Sequence, residues 1–150
     1  MSDQVVVIGS FVLVGACIAI VVLATNTYRT SKALADAAIN STPGAPLELV
    51  CGIRLGWFNA TWPAGRCRLG DETVGFSCLG FAAKANWANV KAVELIKPMN
   101  QIGWGVRFRI PSMKPPSAIV WLGSQQLTDK VIETCAFHKV PTEMKARAVL

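Results

Sequence analysis

The sequence predicts a mainly β chain of the α+β class, with a hydrophobic helix at the amino terminus and a domain of short antiparallel strands closed by one helix. Three observations predict this class. Apolar residues make up 52% of the chain and concentrate at its start. The hydrophobic period changes to two from Leu47, and it becomes helical near Leu127. A chain of 150 residues has room for one ordinary domain plus an appendage.

The first segment is predicted to be a transmembrane helix over residues 1–24. Val5–Ala24 contains no charged residue, and a helix of this length, rising ~1.5 Å per residue, crosses the ~30 Å hydrocarbon core. The alternatives are a cleaved signal peptide, which usually begins with basic residues, and a buried core helix, which normally has a polar face. The residues predicted to anchor the chain are Val5, Ile8, Phe11, Leu13, Ile18, Ile20 and Leu23.

The flanking charges predict how this helix is oriented. Arg29 and Lys32 follow it closely, and no Lys or Arg precedes it. The positive-inside rule therefore places residues 25–150 in the cytoplasm, as the soluble part of a single-pass protein of the cell membrane. All 15 Lys and Arg and eight of the nine Asp and Glu lie after the helix, so this part carries a net charge of +7 (15 minus 8), which favours contact with an anionic lipid surface. Dispersed charge that merely keeps the domain soluble is the alternative.

Residues 25–46 are predicted to be a juxtamembrane linker. Their first part is rich in Ala, Lys and Leu and can extend the helix by two or three turns. Pro43, Gly44 and Pro46 then oppose both helix and strand, so the domain boundary is expected there.

The segment 47–141 is predicted to be a β domain. Cys51, Ile53 and Leu55 alternate with polar or small residues, as a half-buried strand requires, and Gly70–Glu72 is expected to form a tight turn. Further strands are expected in "VKAVELI", "GVRFRI" and "AIVWLG". These short alternating segments separated by turns indicate an antiparallel meander.

The last regular element is predicted to be an amphipathic helix. Leu127, Val131 and Cys135 recur at helical spacing, with Ser124 or Thr128 available as the amino-terminal cap. Such a helix has to cover an apolar surface, and the curved sheet provides one. Residues 142–150 are predicted to be a flexible tail.

The hairpin "GWFNATWPAGRCRLGDETVGF", with the later "GVRFRI", "AIVWLG" and the closing helix, resembles bacterial pleckstrin-homology-like (GRAM-like) domains. In those domains an Asn-x-[ST]-Trp-Pro hairpin precedes a strand, an Asp turn and another strand. The resemblance covers residues 47–141. It implies two nearly orthogonal antiparallel sheets forming a barrel capped by the helix, and binding of lipid headgroups or protein segments rather than catalysis. The basic residues that such domains place in the first hairpin are reduced here to Arg66 and Arg68.

Cationic side chains at outward strand positions and in loops are the candidate ligand-binding residues, because alternating arginines such as those in "VRFRI" can bind phosphate bidentately. Their alternative role is the ordinary solvated side of a strand. The candidates are Arg66, Arg68, Lys84, Lys91, Arg107 and Arg109, with Lys97 and Lys114 as further members of the set.

The sequence predicts neither catalysis nor a cofactor, metal or nucleic-acid partner. His138 is the single histidine and is expected at a helix end, and the cysteines lack C-x-x-C spacing. Reduced, structural thiols are expected, with two disulfides as the alternative in an oxidising compartment. We therefore expect a membrane-anchored, non-catalytic binding or adaptor module. The alternatives are a structural subunit of a membrane complex and an extracytoplasmic anchored β domain.

Overall fold

The computed structural model of the chain describes residues 2–96 and 103–144, of which residues 2–15 and 144 are described as backbone. The described residues form two helices and eight strands, which are joined by short connections. In chain order they are α1 (Ser2–Ile39), β1 (Leu47–Leu55), β2 (Phe58–Leu69), β3 (Thr73–Cys78), β4 (Phe81–Asn86), β5 (Ala92–Ile96), β6 (Gly105–Arg109), β7 (Ser117–Trp121), α2 (Gln125–Phe137) and β8 (Thr142–Met144), with one 3₁₀ turn at Trp87–Asn89.

The strands form one mixed sheet in the order β4-β3-β2-β1-β7-β6-β5-β8. Every pairing is antiparallel except that of β5 with β8. The predicted division into two antiparallel sheets is wrong, because β1 belongs to both halves. It pairs with β2 along its length, and Gly52–Leu55 of the same strand also pair with β7.

The predicted transmembrane anchor over residues 1–24 is also wrong, and with it the predicted fold class and the localisation in the cell membrane. Within the described part of the chain, no helix is long and apolar enough to cross a bilayer. The uncharged apolar stretch of α1 ends at Ala24. After it, α1 continues as a polar helix with Arg29, Lys32 and Asp36.

Three of the seven predicted anchor residues have described side chains. Ile18, Ile20 and Leu23 are between 58% and 66% exposed. The side chains of the other four lie outside the described residues, and these are Val5, Ile8, Phe11 and Leu13.

The carboxyl-terminal part of α1 packs on the sheet instead of serving only as a linker. Ala38 is buried in the core, and the indole of Trp62 on β2 donates a hydrogen bond of 3.3 Å to the hydroxyl of Ser31. The ring of Tyr28 meets the same indole edge-on at 6.5 Å. Beyond the helix, Lys130 of α2 donates a 2.6 Å hydrogen bond to the carbonyl of Ser41.

Several elements predicted from local pattern are confirmed. The turn at Gly70–Glu72 joins β2 to β3, and "GVRFRI" forms β6. The side chain of Ser124 caps α2 by accepting a 3.2 Å hydrogen bond from the backbone of Leu127. The segment after residue 141 differs from the prediction, because it begins with β8, in which Thr142 pairs with Val93.

The core lies between the two halves of the sheet, which curl towards each other. Phe76 on β3 and Phe108 on β6 are not sheet neighbours, yet their ring centroids lie 5.1 Å apart. Helix α2 closes one end of this interior with Val131 and Cys135, both fully buried. The single sheet therefore encloses one hydrophobic core and presents its outward side chains to solvent.

All five cysteines are free, in agreement with the expected reduced thiols and not with the alternative of two disulfides. Cys17 is exposed, whereas the other four lie in the core. Burial raises the pKa of the Cys51 and Cys135 thiols to about 12, and it also raises the pKa of Cys67 and of Cys78. Because the thiolate is the reactive form, these core thiols are chemically protected while the domain is folded.

We expect one thiol to react with an aromatic disulfide reagent in the native chain and all five to react after unfolding in guanidinium. The measurement is the absorbance of the released thiolate, without reductant at any stage. Cys17→Ser should abolish the native signal and leave four reactive groups after unfolding. Fewer than five in the unfolded wild-type chain would reveal a disulfide and contradict the buried free thiols.

Candidate anion-binding face

Three of the predicted cationic residues meet on the outer face of β1–β4. One row of this face crosses the strands through Glu48, Arg68, Gly75 and Lys84, which are register partners in succession. Gly75 lacks a side chain, and a Cβ built there would have its nearest neighbours 3.9 Å away, so the floor between Arg68 and Lys84 is open. Arg66 lies in the next row of the same face.

These residues border a shallow cavity of about 750 Å³, which we call the cationic groove. It follows the outer surface of β1–β4 from the start of β1 to the middle of β4. Its lining comprises Pro46, Leu47, Glu48, Arg66, Arg68, Gly70, Asp71, Thr73, Gly75, Phe76, Ser77, Ala82, Ala83 and Lys84.

Glu48 holds the two arginines of the groove. Its Oε1 lies 3.1 Å from Nη1 of Arg66, and its Oε2 lies 3.4 Å from Nη2 of Arg68. The arginine side chains remain 56% and 75% exposed. One carboxylate thus restrains two guanidinium groups, each with several further donors, and the local balance of these three groups stays positive.

The other predicted cations whose positions are described do not line this groove. Arg107 and Arg109 project from β6 and contact Glu94 of β5, in the other half of the sheet. Lys91 is an exposed residue immediately before β5. Lys97 lies outside the described residues. Three of the predicted cations therefore line the groove and two lie on β6, whereas Lys91 and Lys114 lie outside both places.

Glu94 is the residue that sequence reasoning missed in this second cluster. Its side chain is 3% exposed, with Oε2 3.2 Å from Nη1 of Arg107 and Oε1 in contact with Nη2 of Arg109. A lone acid inside the apolar strand "VKAVELI", facing a strand with two alternating arginines, was the signal that could have identified it. Glu94 engages both guanidinium groups, so we assign Arg107 and Arg109 a structural role.

No family model, curated protein or solved structure matches the chain. The resemblance of residues 47–141 to pleckstrin-homology-like domains accordingly stays a prediction.

The described residues hold no group of three or more His, Cys, Asp or Glu side chains placed to bind a metal ion. His138 stacks on Trp87 with ring centroids 4.3 Å apart and planes 9° from parallel. Burial lowers the pKa of His138, and the nearby charge of Asp71 opposes this shift. The imidazole of His138 therefore packs flat against the indole of Trp87, and the buried thiols are poor nucleophiles because their pKa values are raised.

Proposed function

We propose that this chain is a non-catalytic binding module whose cationic groove takes an acidic segment of a partner protein. The observation that carries the proposal is the convergence of Arg66, Arg68 and Lys84 on one open face, with both arginines already restrained by Glu48. A restrained guanidinium loses less side-chain entropy when it binds a second carboxylate.

The spacing of the cations favours an extended polypeptide. Arg66 and Arg68 are two residues apart on one strand, so their Cα atoms are ~7 Å apart along it. An extended acidic segment presents alternate carboxylates at the same interval. The net charge of +6 would attract such a partner at long range.

An acidic protein segment is favoured over a nucleic acid because the groove lacks exposed aromatic rings for base stacking. Phe76 is the one aromatic residue in its lining, and it is buried. The cations are also solvent-exposed, so binding should be weak to moderate and should depend strongly on salt.

Replacing both arginines, in Arg66→Gln/Arg68→Gln, should weaken the binding of a fluorescein-labelled oligoglutamate peptide about tenfold at low salt, because two charge-assisted contacts are lost. The measurement is fluorescence anisotropy with the full chain. The charge-matched control is Lys91→Gln/Lys139→Gln, which removes two exposed cations elsewhere and should leave affinity within about twofold.

Glu48→Gln should have the opposite effect on affinity, because it removes the negative charge that competes for both guanidinium groups, whereas the amide oxygen can still accept a hydrogen bond that restrains one of them. Affinity for the same peptide should rise severalfold. Equal losses in the arginine variant and its control would attribute binding to net charge alone and refute the groove. Tighter binding of a single-stranded oligonucleotide of equal charge would also overturn the proposal.

A further inference from the structure

Strand β4 is the terminal strand of the sheet, and no described strand pairs with its outer edge. The two-residue turn Leu79–Gly80, with both residues at positive φ, makes Cys78 and Phe81 a hydrogen-bonded pair. At the other end, the backbone N–H of Trp87 donates to the carbonyl of Glu72 at 3.1 Å. Odd-numbered residues of β4 therefore bond to β3.

Successive residues of an antiparallel strand direct their backbone groups alternately towards and away from the neighbouring strand, so three residues of β4 have N–H and C=O groups directed away from the sheet. They are Ala82, Lys84 and Asn86. Such a row of free donors and acceptors is a template for one more strand.

A groove, which we call the seam, runs between this edge and the loop that follows β6. This loop is closed by a 2.8 Å hydrogen bond from the N–H of Ile110 to the carbonyl of Pro116, and the buried side chain of Met113 fixes it in place. Two cavities, of about 350 and 590 Å³, lie between β4 and this loop. Together they follow β4 from Phe81 to Asn86.

The smaller cavity is an aromatic pocket. Phe58 and Phe81 lie 5.0 Å apart between ring centroids, and Trp57 meets Phe58 edge-on at 6.1 Å. Leu55 and Pro115 complete its apolar lining. Trp57 is 89% exposed and Phe81 is 54% exposed, so this tip of the domain leaves a large apolar surface uncovered.

The positive charge along this edge disfavours pairing of β4 with the same strand of a second copy of this chain. Lys84 occupies the middle of the three outward positions, so twofold pairing of β4 centred there would place Lys84 opposite its own copy. Like charges directly opposite each other destabilise a strand pair. Lys84 and Lys114, which also borders the aromatic pocket, instead complement a segment that carries carboxylates.

We propose that an extended segment of a partner protein adds to β4 as a further strand in this seam. Its carboxylates lie on the outer face beside Lys84, and an alternate large apolar side chain enters the aromatic pocket. Side chains of a strand alternate between the two faces, so acidic and apolar residues in alternation satisfy both requirements. This docking shares Lys84 with the cationic groove, but it uses the backbone edge of β4 and not Arg66 or Arg68.

The test is fluorescence anisotropy of the full chain with a labelled peptide, Ser-Glu-Phe-Glu-Val-Glu-Ser. Ala82→Pro removes one outward N–H and leaves the bonds between β3 and β4 intact, because the N–H of Ala82 points away from β3. It should weaken binding at least tenfold. Ala82→Ser keeps the N–H and should bind within about twofold of wild type.

Three results would overturn the proposal. The first is equal affinity of Ala82→Pro and wild type, with unchanged circular dichroism. The second is equal binding of a peptide in which the same residues are segregated into an acidic and an apolar half. The third is a concentration-dependent dimer in sedimentation that Ala82→Pro dissolves, since this would assign the edge to a second copy. Arg66→Gln/Arg68→Gln should retain most of the affinity for the alternating peptide, which separates this proposal from the cationic groove.

Discussion

Glu94→Ala should lower the free energy of unfolding by about 3 kcal/mol, because it leaves a largely buried guanidinium without its carboxylate. The Arg107 side chain is 17% exposed and the Glu94 side chain 3% exposed. Arg109 is 43% exposed, so water can solvate its charge after the substitution, and most of the cost falls on Arg107. The measurement is equilibrium unfolding in urea, followed by tryptophan fluorescence and circular dichroism.

Glu133→Ala is the matched control, because Glu133 is 46% exposed and its partner Lys130, although 11% exposed, keeps a 2.6 Å hydrogen bond to the carbonyl of Ser41. Lys130 therefore retains a polar partner after the substitution, and we expect a loss of about 1 kcal/mol or less. Equal effects of the two alanine substitutions would show that the carboxylate of Glu94 does not stabilise β5 and β6.

Replacing Glu94 and Arg107 together tests whether the stability lost in Glu94→Ala comes from leaving a buried charge unpaired. Glu94→Leu/Arg107→Leu removes both desolvated charges and substitutes apolar side chains on adjacent register partners. Apolar replacement of a buried pair is often neutral or stabilising, so the double variant should recover much of the stability lost in Glu94→Ala. A double variant that is less stable than Glu94→Ala would mean that the charges fix the local arrangement in another way.

The strands were predictable because their evidence is local. Alternation in "GVRFRI" depends on which side chains face the core, and the structure buries Val106 and Phe108 while leaving Arg107 and Arg109 partly exposed. The cap at Ser124 and the turn at Gly70–Glu72 likewise depend on a few neighbouring residues. Such features can be identified from sequence alone.

The pairing of distant elements was not predictable. Periodicity in β1 does not reveal that Gly52–Leu55 pair with β7 as well as with β2, which is what makes the sheet continuous. The parallel strand β8 is three residues long, too short to show a period. Hydropathy alone also misassigned α1, whose final turns contribute Ala38 to the core.

The cationic set shows the same limit at the level of the site. Outward alternation identified all four arginines equally well, because it indicates which face of a strand a side chain occupies but not which residue it contacts. The four are Arg66, Arg68, Arg107 and Arg109. Register then separates them: Arg66 and Arg68 face the partly exposed Glu48, whereas the β6 pair faces the buried Glu94. The exposure of the carboxylate decides which arginines remain available to a ligand.

Phe108→Ala should destabilise the domain by about 4 kcal/mol, through lost apolar burial and the cavity left behind. Phe108 is fully buried on β6, between register partners Val93 and Ala118. Its ring packs against Phe76 of β3 at an interplanar angle of 60°, an edge contact that adds to simple burial. Domains of this size are typically stable by ~5–15 kcal/mol, so the loss should shift the urea midpoint strongly.

The matched control is Phe137→Ala, which removes the same side chain from a position that is 59% exposed on α2. It should cost about 1 kcal/mol or less, because little apolar area returns to water. A similar shift in both variants would contradict the view that Phe76 and Phe108 hold the curled halves of the sheet together. If the contact does hold them, binding of the alternating peptide to Phe108→Ala should fall in parallel with the folded fraction, because β4 and the loop after β6 belong to opposite halves.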